Sequence, residues 1–175
     1  MNPLNTLTIE TPRLALVCCT KEIIEALLQG DTAVANILGV QVLPNWTMNG
    51  EREFRWVLDH LSKPDAKPEW LMYLSVLREK NTLVGGGGFK GAPQDSVVEI
   101  GYEIAPMYRC QGLATEMAKA LIQFAFQHPE ITKVQAHTLA QENESGSVLK
   151  KCGLRKMEAL HDPEDGAIWR WAIEK

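Results

Sequence analysis

Residues 97–119, VVEIGYEIAPMYRCQGLATEMAK, decide the fold. The segment begins as a strand, passes through a loop at 106–111 and continues as a helix with apolar residues at helical spacing. The first amides of any helix lack internal partners and carry the positive end of the helix dipole. Small residues at Gly112 and Ala114 would let an anion approach these amides, and Arg109 adds a positive charge. The segment predicts an anion site. The alternative is that Gly112 only allows the chain to turn and that Ala114 only packs against its neighbours.

Patterns on both sides of this segment predict a single mixed α/β (α+β) sheet. Apolar alternation bounded by turn residues predicts strands at 7–17 (broken at Pro12), 70–78, 82–90, 97–105, 131–139, 154–160 and 167–173. Helical spacing predicts helices at 20–29, 50–61, 112–127 and 143–152. The order is an antiparallel meander, a strand–helix–strand unit and a final helix with two strands, which favours one sheet flanked by helices.

Length and composition restrict the class of protein. A chain of 175 residues predicts one domain, 1–175, that needs no metal or disulfide to fold. The net charge of −4 argues against nucleic acid or an anionic membrane as partner. No apolar run is long enough to span a bilayer, and the first residues do not resemble a signal peptide, so we expect a cytoplasmic protein. The four cysteines lack zinc-ligand spacing, which predicts free thiols and no metal.

The helix-entry loop carries a resemblance to a known family. RCQGLA at 109–114 resembles the R/Q-x-x-G-x-G/A signature of the GNAT acetyltransferases. The flanking stretches EIGYEIAP (99–106) and ATEMAKALIQFAF (114–126) are similar to the RimJ/RimL-like branch, as are TPRLALV and SVLKKCGL nearer the two ends. The resemblance covers nearly the whole chain.

This resemblance implies a mostly antiparallel sheet whose fourth and fifth strands, here 97–105 and 131–139, splay to admit acetyl-CoA as cosubstrate. The residues that the resemblance assigns to the cofactor are Ile104 and Ala105 along the pantetheine arm, Arg109, Cys110, Gln111, Gly112, Leu113, Ala114 and Thr115 around the pyrophosphate, and Asn143. The family's fold also often forms dimers, so a homodimer is a further expectation.

Two glutamates are candidates for the base that deprotonates the acceptor amine. Glu99 and Glu103 are four residues apart on one strand and therefore share a face. A carboxylate with a raised pKa would suit this task. Glu99 is favoured because several members of the superfamily carry their base there. The alternative is that both are ordinary solvated carboxylates.

The proton donor for the leaving thiolate is less clear from the sequence. The family's tyrosine position holds Leu149, and Ser145, Ser147, Tyr108 or water could substitute. We include Ser147 among the catalytic candidates. The family's N-x-x-S element is irregular, because serines follow Asn143 at spacings of two and four.

Three other features complete the expectations. His137 could face the cleft, and Trp46, after a proline, could touch the acceptor. The G-x-G-x-x-G match at 86–91 is not followed by a helix, so it favours a bulged strand over a dinucleotide site.

The sequence therefore predicts an N-acetyltransferase acting on a small amine or a protein N-terminus by direct attack. The alternative is a non-catalytic acyl-CoA-binding or sensing module.

Overall fold

The computed structural model describes residues 6–175. The strands are β1 Thr8–Glu10, β2 Leu14–Cys18, β3 Gln41–Val42, β4 Met72–Leu77, β5 Thr82–Phe89, β6 Val97–Ile104, β7 Lys133–Leu139, β8 Arg155–Asp162 and β9 Gly166–Glu174. The helices are α1 Lys21–Gln29, α2 Asp31–Leu38, α3 Glu51–Leu61, α4 Leu113–Gln127 and α5 Glu144–Lys151. Short 3₁₀ turns lie at Pro68–Trp70, Arg78–Lys80 and Pro106–Tyr108.

The strands form one sheet in the order β1-β2-β4-β5-β6-β7-β9-β8, with β3 beside β5. Most neighbours are antiparallel, while β6–β7 and β3–β5 are parallel. This confirms the predicted mixed, mostly antiparallel sheet. α4 packs on the face that bears Ser75, whose hydroxyl lies 3.2 Å from Met117 Sδ. The segment before α3 contacts Glu103, which points to the opposite face, so helices cover both sides.

The element boundaries follow local sequence signals. The first predicted strand is divided into β1 and β2 by the turn around Pro12, where the backbone N–H of Thr11 bonds Leu14 O at 2.9 Å. Gly30 ends α1 with a φ of 114°, as its position after the last apolar residue indicated. α2 follows at once over Asp31–Leu38.

The glycine run forms a bulged strand, as predicted. The register of β4 against β5 shifts between Ser75 and Val76, opposite the start of the run. At Gly87 an added Cβ would lie 2.7 Å from Gly101 O and 2.8 Å from Met117 Sδ. A side chain there would separate β5 from β6 or from α4, so the run allows a close approach of sheet and helix.

The core lies between the sheet and the helices on each face. Its largest fully buried side chains include Tyr73, Leu74, Ile100, Met117, Leu121 and Trp171. Within residues 6–175, none of the helices has the length and apolar character needed to cross a bilayer.

Candidate active site

The cleft lies between β6 and β7, which pair only over Val97–Glu99 and Lys133–Gln135. Beyond these residues β6 continues beside β5 to Ile104, whereas β7 continues beside β9 to Leu139. The two strands therefore diverge, and their facing edges are unpaired beyond Glu99. This is the splayed arrangement that the family resemblance implied.

Backbone hydrogen bonds determine which groups of β6 face this cleft. The N–H of Ala105 donates to Val84 O at 2.8 Å, and Glu99 O accepts from Lys90 N–H at 2.9 Å. Because bonding alternates along an antiparallel strand, these positions face β5 and Ile104 faces the cleft. Ile104 thus has the orientation that a contact with a pantetheine arm requires. The N–H of Ala105 is already used by β5, so the geometry gives no support to Ala105 as a donor to the arm.

The loop from β6 to α4 turns sharply at two left-handed residues, Cys110 with a φ of 59° and Gly112 with a φ of 77°. Gly112 is the N-cap of α4 and has no side chain, so the first amides of the helix have no side-chain cap. Arg109 donates from Nε to Ile104 O at 3.1 Å, which places its charge at the same end of the cleft. These features give the loop the geometry of an anion site.

The other predicted loop residues differ in burial. Leu113 is buried and fixes the helix end to the core, while Ala114 and Thr115 are half-buried. Gln111 is exposed, and its side-chain amide donates to Met107 O at 3.4 Å. The loop therefore offers mainly backbone groups to a ligand.

Arg13 braces this loop and was missed by the sequence reasoning. Its Nη1 donates to Gln111 O at 2.8 Å, and Nη2 would lie 3.4 Å from a Cβ added at Gly112. Glu116 holds it in place, accepting from Arg13 Nε at 2.6 Å and from Thr11 Oγ1 at 2.6 Å. Burial alone would raise the pKa of Glu116, but the hydrogen bonds from Thr11 and Arg13 lower it overall. Since Arg13 lies far away in sequence, no local pattern connects it to the loop.

A cavity of about 400 Å³ lies between α3 and strands β4 to β6, on the face opposite α4. Gly86, Gly88 and Gly101 line its floor, and Trp56, 42% exposed, forms part of the α3 wall. A Cβ added at Gly101 would meet no atom within 4 Å, so the floor is open there. We call this cavity the α3 pocket.

Glu103 lies on the wall of the α3 pocket. Its carboxylate accepts hydrogen bonds from the Thr47 hydroxyl, from Met48 N–H at 2.9 Å and from Asn49 Nδ2 at 3.0 Å. These donors belong to the segment that leads into α3. They fix a negatively charged group beside the open floor.

Glu99 lies at the closed end of the cleft. Its carboxylate is 2.6 Å from Lys90 Nζ and 3.0 Å from His137 Nδ1, and it accepts from Gln135 Nε2 at 3.3 Å. Burial alone would raise its pKa, but the hydrogen bonds and charges of Lys90 and His137 lower it overall. This is the opposite of the raised pKa that we expected for a carboxylate base at this position.

The first turn of α5 explains the irregular asparagine element. Asn143 caps the helix by accepting from Gly146 N–H at 2.8 Å, and a Cβ at Gly146 would lie 3.3 Å from the ring of Trp171. Trp171 therefore leaves little room for a side chain at position 146, where the family has serine. Ser147 is exposed and donates to Asn143 O at 3.2 Å, while Leu149 is 1% exposed in the core. The catalytic role of Ser147 stays a prediction.

A second hydroxyl, which sequence spacing did not single out, reaches α5 from β6. Tyr102 Oη donates to Ser145 O at 3.1 Å and so links the two sides of the cleft. Burial raises the pKa of Tyr102, so its phenol stays protonated. Tyr108, one of the candidates from the sequence, is buried with its ring centroid 5.7 Å from Lys80 Nζ, in the turn between β4 and β5.

The prediction that Trp46 touches an acceptor is wrong. Trp46 is 3% exposed and donates from Nε1 to Asp31 Oδ1 at 3.0 Å, which makes it part of the core. Its amphipathic ring is buried because α2 provides this polar partner. Trp56 is the tryptophan that lines the α3 pocket.

Metal-binding side chains do not cluster in the part of the chain that the structure describes. Residues 6–175 contain no group of three or more His, Cys, Asp or Glu side chains that could hold an ion. The four cysteines are free thiols.

A sheet that opens between two diverging parallel strands, with an uncapped helix N-terminus at one end, is the architecture that the resemblance implied for an acetyl-CoA-dependent acyltransferase. The chain belongs to the GNAT acetyltransferase family, since the sequence model of the Acetyltransferase (GNAT) domain matches residues 13–155. This confirms the family that the loop motif predicted. The protein is accordingly an acyltransferase, and acetyl-CoA is the cosubstrate of its family.

Individual relatives agree with this assignment. The Bacillus subtilis protein YjdG, described as an uncharacterized N-acetyltransferase, is 25% identical over 150 residues, covering 83% of this chain and 88% of that protein. A GNAT-family acetyltransferase structure from Bacillus anthracis has a TM-score of 0.66 at 21% identity, covering 96% of this chain and 98% of its own. The structure of RimL, a ribosomal L7/L12 alpha-N-protein acetyltransferase in complex with coenzyme A, has a TM-score of 0.70 at 15% identity, with coverage of 96% and 98%. The shared fold is consistent with the RimJ/RimL-like branch.

Proposed function

We propose that this chain transfers the acetyl group of acetyl-CoA to a primary amine on a peptide N-terminus or a small molecule. The observation that carries the proposal is the open cleft between β6 and β7, with the uncapped start of α4 at one end and the α3 pocket on the other face. In this arrangement the diphosphate binds the loop at 109–115 and the pantetheine arm runs beside Ile104. The thioester then lies between the cofactor cleft and the acceptor.

The α3 pocket is suited to a positively charged amine. Glu103 presents a carboxylate held by three donors, and the open floor at Gly101 leaves room for the acceptor chain. Trp56 supplies an exposed aromatic wall that can pack on an aliphatic segment or on a cation. Orienting the amine toward the thioester supplies much of the rate in such a two-substrate reaction.

Tyr102 is placed to assist the leaving group. Its protonated phenol lies in the cleft at the first turn of α5, the helix that also contains Leu149. Leu149 occupies the position where the family has a tyrosine. A hydrogen bond from Tyr102 to the departing thiolate would take over the role of that tyrosine. We therefore assign the role of proton donor to Tyr102 on β6 rather than to a residue of α5.

Release of the coenzyme A thiol from acetyl-CoA, with the product identified by mass, tests the proposed function. The panel contains N-terminal peptides and a polyamine, because one structural neighbour is described as a protein alpha-N-acetyltransferase and another as a spermidine N-acetyltransferase. We expect acceptor-dependent thiol release and a product heavier by one acetyl group. Coenzyme A binding without transfer to any acceptor would instead favour a non-catalytic binding or sensing module.

A further inference from the structure

A cluster of four polar side chains lies where β6 and β7 stop pairing. His137 Nδ1 is 3.0 Å from Glu99 Oε1, and Lys90 Nζ is 2.6 Å from the same oxygen. Gln135 donates to the other oxygen of Glu99 at 3.3 Å. His137 and Glu99 are 19% and 18% exposed, so the pair is shielded but within reach of solvent.

Glu99 is poorly suited to take a proton itself. Both of its oxygens already accept hydrogen bonds, and the Lys90 ammonium beside it favours the charged carboxylate. Its contact with His137 nevertheless has a chemical consequence. A carboxylate that accepts from Nδ1–H holds the neutral imidazole in the tautomer whose lone pair is on Nε2.

The register of β7 places His137 beside the open part of the cleft. Gln135 is the last residue of β7 that pairs with β6, and His137 is the next residue on the same face. The register therefore places His137 at the point where the two strands begin to separate. Glu103, two residues beyond Gly101 on the same face of β6, lies farther along toward the acceptor wall.

We propose that His137 is the residue that accepts the proton of the acceptor ammonium, at Nε2, and that Glu99 is its positioning residue. This inference rests on the proposed function, because it names the base of that reaction. The ammonium gives one proton to His137, and the neutral amine forms the N–C bond to the thioester carbon. The C–S bond then breaks, the second amine proton passes to the thiolate through Tyr102, and His137 returns its proton to solvent.

The charged neighbours of His137 define the expected pH behaviour. Glu99 faces it from β6, and Lys90, directly after β5, contacts the same oxygen of Glu99. On the other side, its register partner on β9 is Arg170, which is paired with Glu158 on β8 at 2.7 Å. On β7 itself, Lys133 is paired with Glu174 at 3.2 Å. Because a protonated imidazole cannot accept a proton, the proposed base must be the neutral imidazole, and the kcat/KM profile should show an acid limb.

The main experiment compares the pH dependence of kcat/KM for the wild type, His137→Gln and Glu99→Gln. We expect His137→Gln to lower kcat about 100-fold or more and to remove the acid limb. Glu99→Gln removes the carboxylate that holds Nδ1–H, so kcat should also fall while KM changes little. The matched control is His161→Gln, a change on the exposed face of β8 that leaves rate and profile unchanged.

Rescue distinguishes a chemical role from a structural one. Added imidazole restores part of the activity of His137→Ala if the side chain acts as a base, whereas a purely structural loss is not restored. A His137→Gln enzyme with the wild-type rate and profile overturns the proposal and leaves the proposed function intact. A wild type that binds coenzyme A but acetylates nothing overturns both.

A measurement that needs no variant tests the geometry directly. ¹⁵N NMR of the wild-type histidines at neutral pH should show His137 with its proton on Nδ1. A proton on Nε2 instead contradicts the proposed base, whatever the activity of the variants.

Discussion

The two edges of β6 differ in their strand pairing. Toward β5 the strand is paired from Ile100 to Ile104, and Gly87 allows the backbones and α4 to approach closely. Toward β7 pairing ends at Glu99. The comparison teaches that one strand can be a structural element on one edge and border an open cleft on the other. The paired edge fixes the position of the backbone groups that the open edge presents.

The largest expected effect comes from filling the closed side. Gly87→Val places side-chain atoms against Gly101 O and Met117 Sδ, which have no room to move because both belong to packed elements. We expect it to lower the free energy of unfolding by about 3 kcal/mol or more, measured by urea denaturation. Gly101→Val is the control and should change stability by less than about 1 kcal/mol, since its Cβ meets open space. Equal losses at both positions would contradict the described difference.

The same Gly101→Val variant probes the open pocket by activity. A valine at the floor occupies the space proposed for the acceptor, so kcat/KM for the amine should fall about 100-fold. Binding of coenzyme A, measured by calorimetry, should be unchanged because the cofactor loop lies at the other end of the cleft. Loss of coenzyme A binding would show that the α3 pocket is not a separate acceptor site.

Tyr102 tests whether the open side is bridged by a functional hydroxyl. Tyr102→Phe removes the proton donor that contacts Ser145 O and leaves the ring in place. We expect kcat to fall about tenfold with little change in KM. The comparison variant is Tyr108→Phe. If that change caused the larger loss, the donor role would belong to the loop before α4.

The smallest effect concerns the brace at the end of β6. Glu116→Gln weakens the bonds to Thr11 and Arg13 and should cost about 1 kcal/mol of stability at neutral pH. The folded-state pKa of Glu116 is lowered, so its contribution is present above the unfolded-state value and lost as pH falls through the folded one. Thermal unfolding of the wild type should therefore lose more stability than Glu116→Gln between about pH 5 and pH 3. A constant difference across this range would contradict the ionic role.

Much of the fold is predictable because local signals agree with the global arrangement. Pro12 marks the break in the first strand, Gly30 the end of α1 and Gly112 the start of α4. The glycine run was correctly predicted as a bulged strand, because no helix follows it. The loop at 109–115 could be predicted as a cofactor site because its residues are contiguous in sequence.

The parts of the site that depend on tertiary contacts were not predictable. Arg13 reaches Gln111 from a distant strand, and Tyr102 reaches α5 across the cleft. The environment of Glu99 depends on Lys90, which directly follows β5, and on His137, which lies on β7. Charge pairing of this kind reverses the pKa shift that burial alone suggests, and no spacing rule along one strand reveals it.

The glycine-lined floor of the α3 pocket has an evolutionary consequence. A surface built from Gly86, Gly88 and Gly101 presents only main chain and cannot distinguish one acceptor from another by side-chain chemistry. In the proposed acceptor site, discrimination would rest on the side chains around this floor: Glu103 on β6, and Arg52 and Trp56 on the α3 wall. Under this proposal, divergence toward new amines would proceed mainly by exchanging a few positions of one surface helix, without disturbing the strands that border the cleft.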